Sequence, residues 1–207
     1  MERGSIHLFL GPMFSGKTKA AMNYLQENNY SLSEIGLFQS SWNKRDGNLW
    51  KSRGLDYTIP AKIIDLRDEN FMNDLEYSIK DKKVIGIDEP FSFDLILRNR
   101  GDNLARYILN WKENGKKIII PSIHTYFNRQ GVEVIGDLWK HADSIVFCTE
   151  SRCTGDNGNC KNVGTMTQRF RYGIPSNFNE SKLINEGEEG YSYCPRCLEH
   201  HIVPGLP

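Results

Sequence analysis

The chain has 207 residues, 39% hydrophobic and 25% charged, which suits one α/β domain with a small accessory module and excludes a disordered chain. Lysine and arginine (26) balance aspartate and glutamate (26), which argues against a protein whose main task is gripping a nucleic-acid backbone, since that requires a basic excess. No apolar stretch approaches the roughly 18 residues of a membrane span and residues 1–5 offer no signal peptide, so a soluble cytoplasmic protein with reduced cysteines and no membrane partner is expected.

In chain order, residues 6–10 (Ile-His-Leu-Phe-Leu) read as a buried strand that stops at Gly11. Residues 17–26 read as a helix with Ala20, Ala21, Tyr24 and Leu25 on one side. A strand is expected over 35–38, a long polar loop over 40–59, and a helix over 66–79. A third strand, Val84–Ile87, ends in Asp88-Glu89; a helix over 93–111 and strands over 118–120 and 144–148 follow. Strands alternating with helices predict an α/β fold, a parallel sheet covered on both faces. From Ser151 the composition turns to Gly, Asn and Cys and helical periodicity disappears, which divides the chain into 1–149 and 150–207.

Gly11-Pro12-Met13-Phe14-Ser15-Gly16-Lys17-Thr18 matches G-x-x-x-x-G-K-[ST], the phosphate-binding loop of nucleoside triphosphate-binding proteins. Such a loop turns successive backbone N–H groups toward phosphate oxygens, its Lys reaches the β- and γ-phosphates, and its Thr hydroxyl ligates Mg²⁺. A chance match in a glycine turn lacks what is present here, a strand before the motif and a helix after it. Asp88 and Glu89 close an apolar strand. Acidic residues are common at solvated strand ends, but downstream of a phosphate loop the first carboxylate serves Mg²⁺ and the second can take the proton of an attacking hydroxyl.

Cys194 and Cys197 form a C-x-x-C knuckle, and with Cys153 and Cys160 they make two pairs suited to a closed tetrahedral Zn²⁺ site. The six residues between Cys153 and Cys160 exceed the usual spacing. Cys148 reads as a core thiol that could replace Cys153, and His200 and His201 are possible substitute ligands, although histidines near a chain end are more often solvated.

Four stretches in order resemble the zinc-containing thymidine kinases: the loop with its Pro12-Met13-Phe14 insert, Gly86-Ile87-Asp88-Glu89, Phe127-Asn128-Arg129, and the run from Cys160 through Thr167-Gln168-Arg169 to Cys194-Pro195-Arg196-Cys197. Arg45 and Ser52-Arg53-Gly54 resemble the family's region after the second strand. The resemblance implies a RecA-like P-loop core and a zinc-held lasso covering the base. It implies transfer of the ATP γ-phosphate to the 5′-hydroxyl of thymidine, commonly in a homotetramer, with Mg-ATP and structural zinc as cofactors and no nucleic-acid partner. By position, residues 11–18 hold ATP, Thr18 and Asp88 serve Mg²⁺, and Glu89 is the base. Met13, Arg45, Phe127, Thr167 and Tyr191 would contact the nucleoside.

The chain departs from the family at Phe91, where a Gln is usual, at Ile123-His124-Thr125-Tyr126 in place of Leu-Asp-Gly-Thr, in the widened first cysteine pair, and at Asn185-Glu186-Gly187. These changes bear on the base pocket and leave the phosphate machinery intact. Competing readings are a kinase for another deoxynucleoside, a zinc-ribbon ATPase that grips DNA or RNA, and a homologue that binds nucleotide without catalysis.

Overall fold

The computed structural model describes residues 3–43, 47–52, 54–183 and 188–207. The first part of the chain runs β1 (Ser5–Leu10), α1 (Lys17–Glu27), β2 (Ile35–Ser40), β3 (Leu49–Trp50), β4 (Ile59–Pro60), β5 (Lys62–Ile64), α2 (Phe71–Ile79) and β6 (Val84–Ile87). It continues through α3 (Phe91–Asn99), α4 (Leu104–Glu113), β7 (Lys117–Ser122), α5 (Glu133–Trp139) and β8 (Ser144–Phe147). Six of these strands form one sheet in the order β5-β2-β6-β7-β1-β8, paired in parallel throughout.

The strands read as apolar runs because both sheet faces are covered. Period-two alternation sends Ile6, Leu8 and Leu10 into one core with Ile85, Ile118 and Ile120, under Phe93, Leu104 and Ile108 of α3 and α4. Phe9, Val84 and Ile119 enter the opposite core, which α1 closes with Ala21, Met22 and Leu25. The pairings Ile6 with Ile118 and Leu8 with Ile120 hold that register.

Three expectations are revised. The helix expected over 93–111 is two, because Gly101 takes φ 79° and Asn103 caps a new start, its side chain accepting from the Arg106 N–H at 3.0 Å. The helix expected from 66 begins at Phe71, because the side chains of Asp65 and Asp68 capture the N–H groups of Arg67 and Asn70 at 3.1 and 2.8 Å. Helix α5 was not anticipated, and the loop over 40–59 carries β3, whose Trp50 is buried and pairs with Ile59 of β4.

Beyond β8 come β9 (Met166–Arg171), β10 (Ile174–Pro175) and β11 (Tyr191–Arg196), an antiparallel sheet in the order β10-β9-β11. Short 3₁₀ turns lie at Asp156–Gly158 and Leu198–His200. Among the described residues no helix is long and apolar enough to cross a membrane.

Candidate active site and metal cluster

The phosphate loop leaves β1 at Gly11 and enters α1 at Lys17. Gly16 caps the helix with φ 86°, a left-handed conformation a side chain would strain, and Phe14 also sits at positive φ, 64°. Left-handed turns of this kind let a loop wrap ahead of a helix N-terminus, the backbone feature that binds anions. The Lys17 ammonium folds over the loop and donates to the Pro12 carbonyl at 2.6 Å.

One strand away across β7, β6 ends at Asp88 and Glu89. Asp88 is buried and its N–H donates to the Phe38 carbonyl at 3.0 Å. Glu89 has φ 51°, which costs of order 1–3 kcal/mol for a non-glycine residue and needs support from its surroundings. Its N–H donates to Pro121 O at 3.3 Å, and Ser92 caps its carbonyl through both N–H and hydroxyl, at 3.2 and 3.0 Å. Strain of this kind collects at functional sites, and Glu89 lines an open cleft.

Met13, Glu89, Phe127 and Thr167 all line that cleft. The Met13 N–H donates to the Thr167 hydroxyl at 3.0 Å, tying the phosphate loop to β9. Tyr193 lines the cleft where Tyr191 was expected; Tyr191, two positions earlier on β11, lies near the Arg169 and Arg171 guanidinium groups instead. Arg45 lies outside the described residues. The departure at Phe91 also falls in the cleft wall, its ring edge-on to Tyr126 at 5.9 Å. His124 is adjacent to the lining residue Ile123; burial lowers its pKa and the Lys17 charge adds to that.

The metal cluster corrects the expected ligand set. Cys153, Cys160, Cys197 and His200 bring one donor atom each to within 4.8 Å of one another, and Cys194 is not among them. Cys194 pairs with Gln168 in the middle of β11. Strand alternation sends residues three apart to opposite sides, so an extended C-x-x-C cannot act as a knuckle. After Cys197 the chain tightens into a 3₁₀ turn, the His200 N–H donating to Cys197 O at 3.1 Å. That turn stacks residues i and i+3, leaving His200 Nδ1 3.2 Å from Cys197 Sγ and 3.6 Å from Cys153 Sγ. Gly155 makes room: a Cβ there would lie 2.4 Å from the His200 ring. Cys148 stays out of the cluster, its N–H on Leu10 O beside the phosphate loop and its thiol pKa raised by burial.

Three thiols and one imidazole suit a closed four-coordinate site. Hydrogen bonding to Cys197 and then Cys153 pushes His200 up to about 9. Burial opposes ionisation of Cys197, but hydrogen bonds from the His200 backbone and ring bring that thiol down to about 6. The proton these groups share is one a metal cation would displace. Asp156 accepts from His200 Nε2 at 3.1 Å, the outer carboxylate that orients a metal-binding imidazole.

Arg169 was no site candidate, yet it organises the cleft wall. Its side chain is fully buried, with Nη1 on Ser181 O at 2.7 Å, Nε on Ser176 Oγ at 3.1 Å, and Glu180 alongside. Its guanidinium lies 3.5 Å from the Phe127 ring centroid, so Phe127 is held from behind. Nothing in the spacing of Thr167-Gln168-Arg169 marked this, because its partners come from 127 and from 176–181.

A parallel α/β sheet, a phosphate loop and an acidic strand end facing an aromatic cleft define a P-loop nucleotide-binding protein that acts on a second, smaller substrate. The family model described as "Thymidine kinase" matches residues 4–201, and the chain belongs to that family. Relatives named thymidine kinase include that of Thermococcus kodakarensis, 26% identical over 204 residues covering 97% of this chain and 95% of the relative. That of Ureaplasma urealyticum is 28% identical over 209 residues, covering 99% and 85%. That of Mycoplasmoides gallisepticum is 25% identical over 207 residues, covering 99% and 84%.

Proposed function

We propose that the chain is a Mg-ATP-dependent thymidine kinase that transfers the γ-phosphate of ATP to the thymidine 5′-hydroxyl, giving dTMP and ADP. The observation that carries this is the single cleft joining the phosphate loop at Met13, the carboxylate Glu89, and the pocket residues Phe127 and Thr167. In the reaction O5′ forms a bond to the γ-phosphorus while the bond from that phosphorus to the β–γ bridging oxygen breaks. The hydroxyl proton passes to the Glu89 carboxylate. Lys17 and the loop amides follow the charge spreading over the transferring group. Asp88 and Thr18 would hold Mg²⁺, which would supply further charge neutralisation to the transferring group; a buried carboxylate at a strand end beside the loop suits that ion. Phe127 offers the nucleoside base a ring already fixed by Arg169.

Zn²⁺ on Cys153, Cys160, Cys197 and His200 is structural in this reading, since four protein donors leave no position for water. Residues 1–149 act as the ATP-binding module and 150–207 as the nucleoside-covering module of a cytoplasmic homotetramer that needs no nucleic acid. Phosphorylation of a panel of nucleosides with Mg-ATP tests the reading. Thymidine is expected to give the highest kcat/KM; a preference for another deoxynucleoside would keep the kinase and change its substrate, and turnover dependent on DNA or RNA would overturn it.

A further inference from the structure

The segment that closes the cleft is anchored in two steps. Up to Ser181 it is held by Arg169 and by Asn128, whose Nδ2 donates to Phe178 O at 3.1 Å. The next anchor in chain order is Lys182, and its partners lie on the ATP-binding body. Lys182 Nζ donates to Glu133 Oε1 at 2.5 Å and stands 4.7 Å from the centre of the Tyr126 ring. Tyr126 donates from its hydroxyl to the other oxygen, Glu133 Oε2, at 3.0 Å. One carboxylate thus joins a phenol from the body to an ammonium from the closing segment, and the phenol's ring is the platform on which the ammonium rests. Lys182, its neighbour Leu183, and Tyr126 all line the cleft.

We propose that Tyr126, Glu133 and Lys182 form a latch that holds 181–183 in place as a wall of the nucleoside cleft, making Lys182 a positioning residue for nucleoside binding. The chemistry favours a latch over an incidental surface pair. The ammonium and carboxylate are only 24% and 33% exposed, so water screens them less than it would a surface ion pair. Tyr126 is almost wholly buried and cannot move to follow the lysine. Burial works against the Glu133 charge, and the hydrogen bonds from Lys182, from its own backbone N–H and from Tyr126, with the Lys182 charge, together outweigh it and keep the carboxylate below its ordinary range. The device depends on a departure: Tyr126 stands where the family segment has Thr, and a threonine has neither the ring nor the reach.

A wall populated for only a fraction of the time raises the apparent nucleoside dissociation constant by the reciprocal of that fraction. The inference rests on the thymidine kinase reading, so it is tested by two independent measurements. In Lys182→Met the thymidine KM should rise about tenfold with a much smaller change in kcat and none in the ATP KM. Hydrogen exchange of the 181–183 amides in the free protein should quicken. Glu133→Gln should act in the same direction, the double variant should be no worse than the worse single, and Lys182→Arg should recover most of the affinity by keeping charge and stacking. Wild-type thymidine KM and wild-type exchange in Lys182→Met would overturn the latch, as would effects that multiply in the double variant. Should the wild-type protein phosphorylate no thymidine while the exchange pattern appears as described, the kinase reading falls and the latch stands.

Discussion

The phosphate loop and the metal cluster are both small sites, but they are assembled in opposite ways. The loop is eight consecutive residues, 11–18, suspended between a central strand and a helix packed on it. The cluster draws Cys153, Cys160, Cys197 and His200 from two ends of a 48-residue stretch, through an antiparallel sheet with little apolar core of its own. A site made from one segment needs only correct local geometry. A site made from distant segments needs every intervening register to be right, and its ligand list can be misjudged by one residue. The lesson is that motif spacing is a safe guide to placement where a site is one contiguous segment, and a weaker one where side chains converge from distant segments.

The largest expected effect lies at the local site. Lys17→Ala removes the cation that the proposed mechanism places on the transferring phosphoryl group and should lower kcat by about 10³–10⁵-fold, the range known for an arginine finger serving the same group. Metal content should stay near wild type and the melting temperature should fall little, because β1 and α1 carry the loop and the lysine adds to it the bond to the Pro12 carbonyl. A variant that also lost its metal would show the two regions to be more tightly coupled than the comparison holds.

Glu89→Gln keeps size and shape and cannot accept a proton. It should reduce kcat by about 10²–10⁴-fold with nucleotide and nucleoside binding nearly unchanged. Asp88→Asn should weaken nucleotide handling as well and recover partly with added Mg²⁺. If the two variants prove indistinguishable at both low and saturating Mg²⁺, the division of roles between these neighbours is wrong.

The metal site separates two cysteines in one motif. Cys197→Ser should lower metal affinity by more than the roughly 10–100-fold typical of outer-shell changes and lose nucleoside phosphorylation with it. Cys194→Ser should retain one metal ion per chain. Elemental analysis after dialysis against a chelator reads this directly, and loss of metal from Cys194→Ser alone would restore the four-cysteine arrangement.

The smallest effect sharpens the contrast from the other side. Asn103→Ala removes the helix cap on Arg106 N–H and should cost about 1 kcal/mol. In a chain of this size that shifts the melting temperature by about 2–4 °C. Metal stoichiometry should not change, since the lost bond is local to the ATP-binding body.

Much of the first region was legible in the residues alone. Short apolar runs such as Val84–Ile87, bounded by polar residues, read as strands covered on both faces, and residues 11–18 lie where that motif predicts, between a strand and a helix. Helix ends were less legible because side-chain capture by Asp65, Asp68 and Asn103 competes locally with helix propensity. Of the cleft, Met13, Phe127 and Thr167 could be placed by resemblance, whereas Tyr193 in place of Tyr191, and the grip of Arg169 on Phe127, depend on which face of a strand meets which loop.

What the sequence determined by itself is therefore the parallel α/β body, the phosphate loop and the carboxylate pair, all encoded in short contiguous patterns whose physics is local. What only the tertiary structure decided is that His200 and not Cys194 joins the three cysteines, that Arg169 stands behind Phe127, and that Lys182 crosses to Glu133 and Tyr126. The reason is the same in each case: these contacts join residues far apart in the chain, and strand register and turn geometry, which no short pattern records, choose among the available partners.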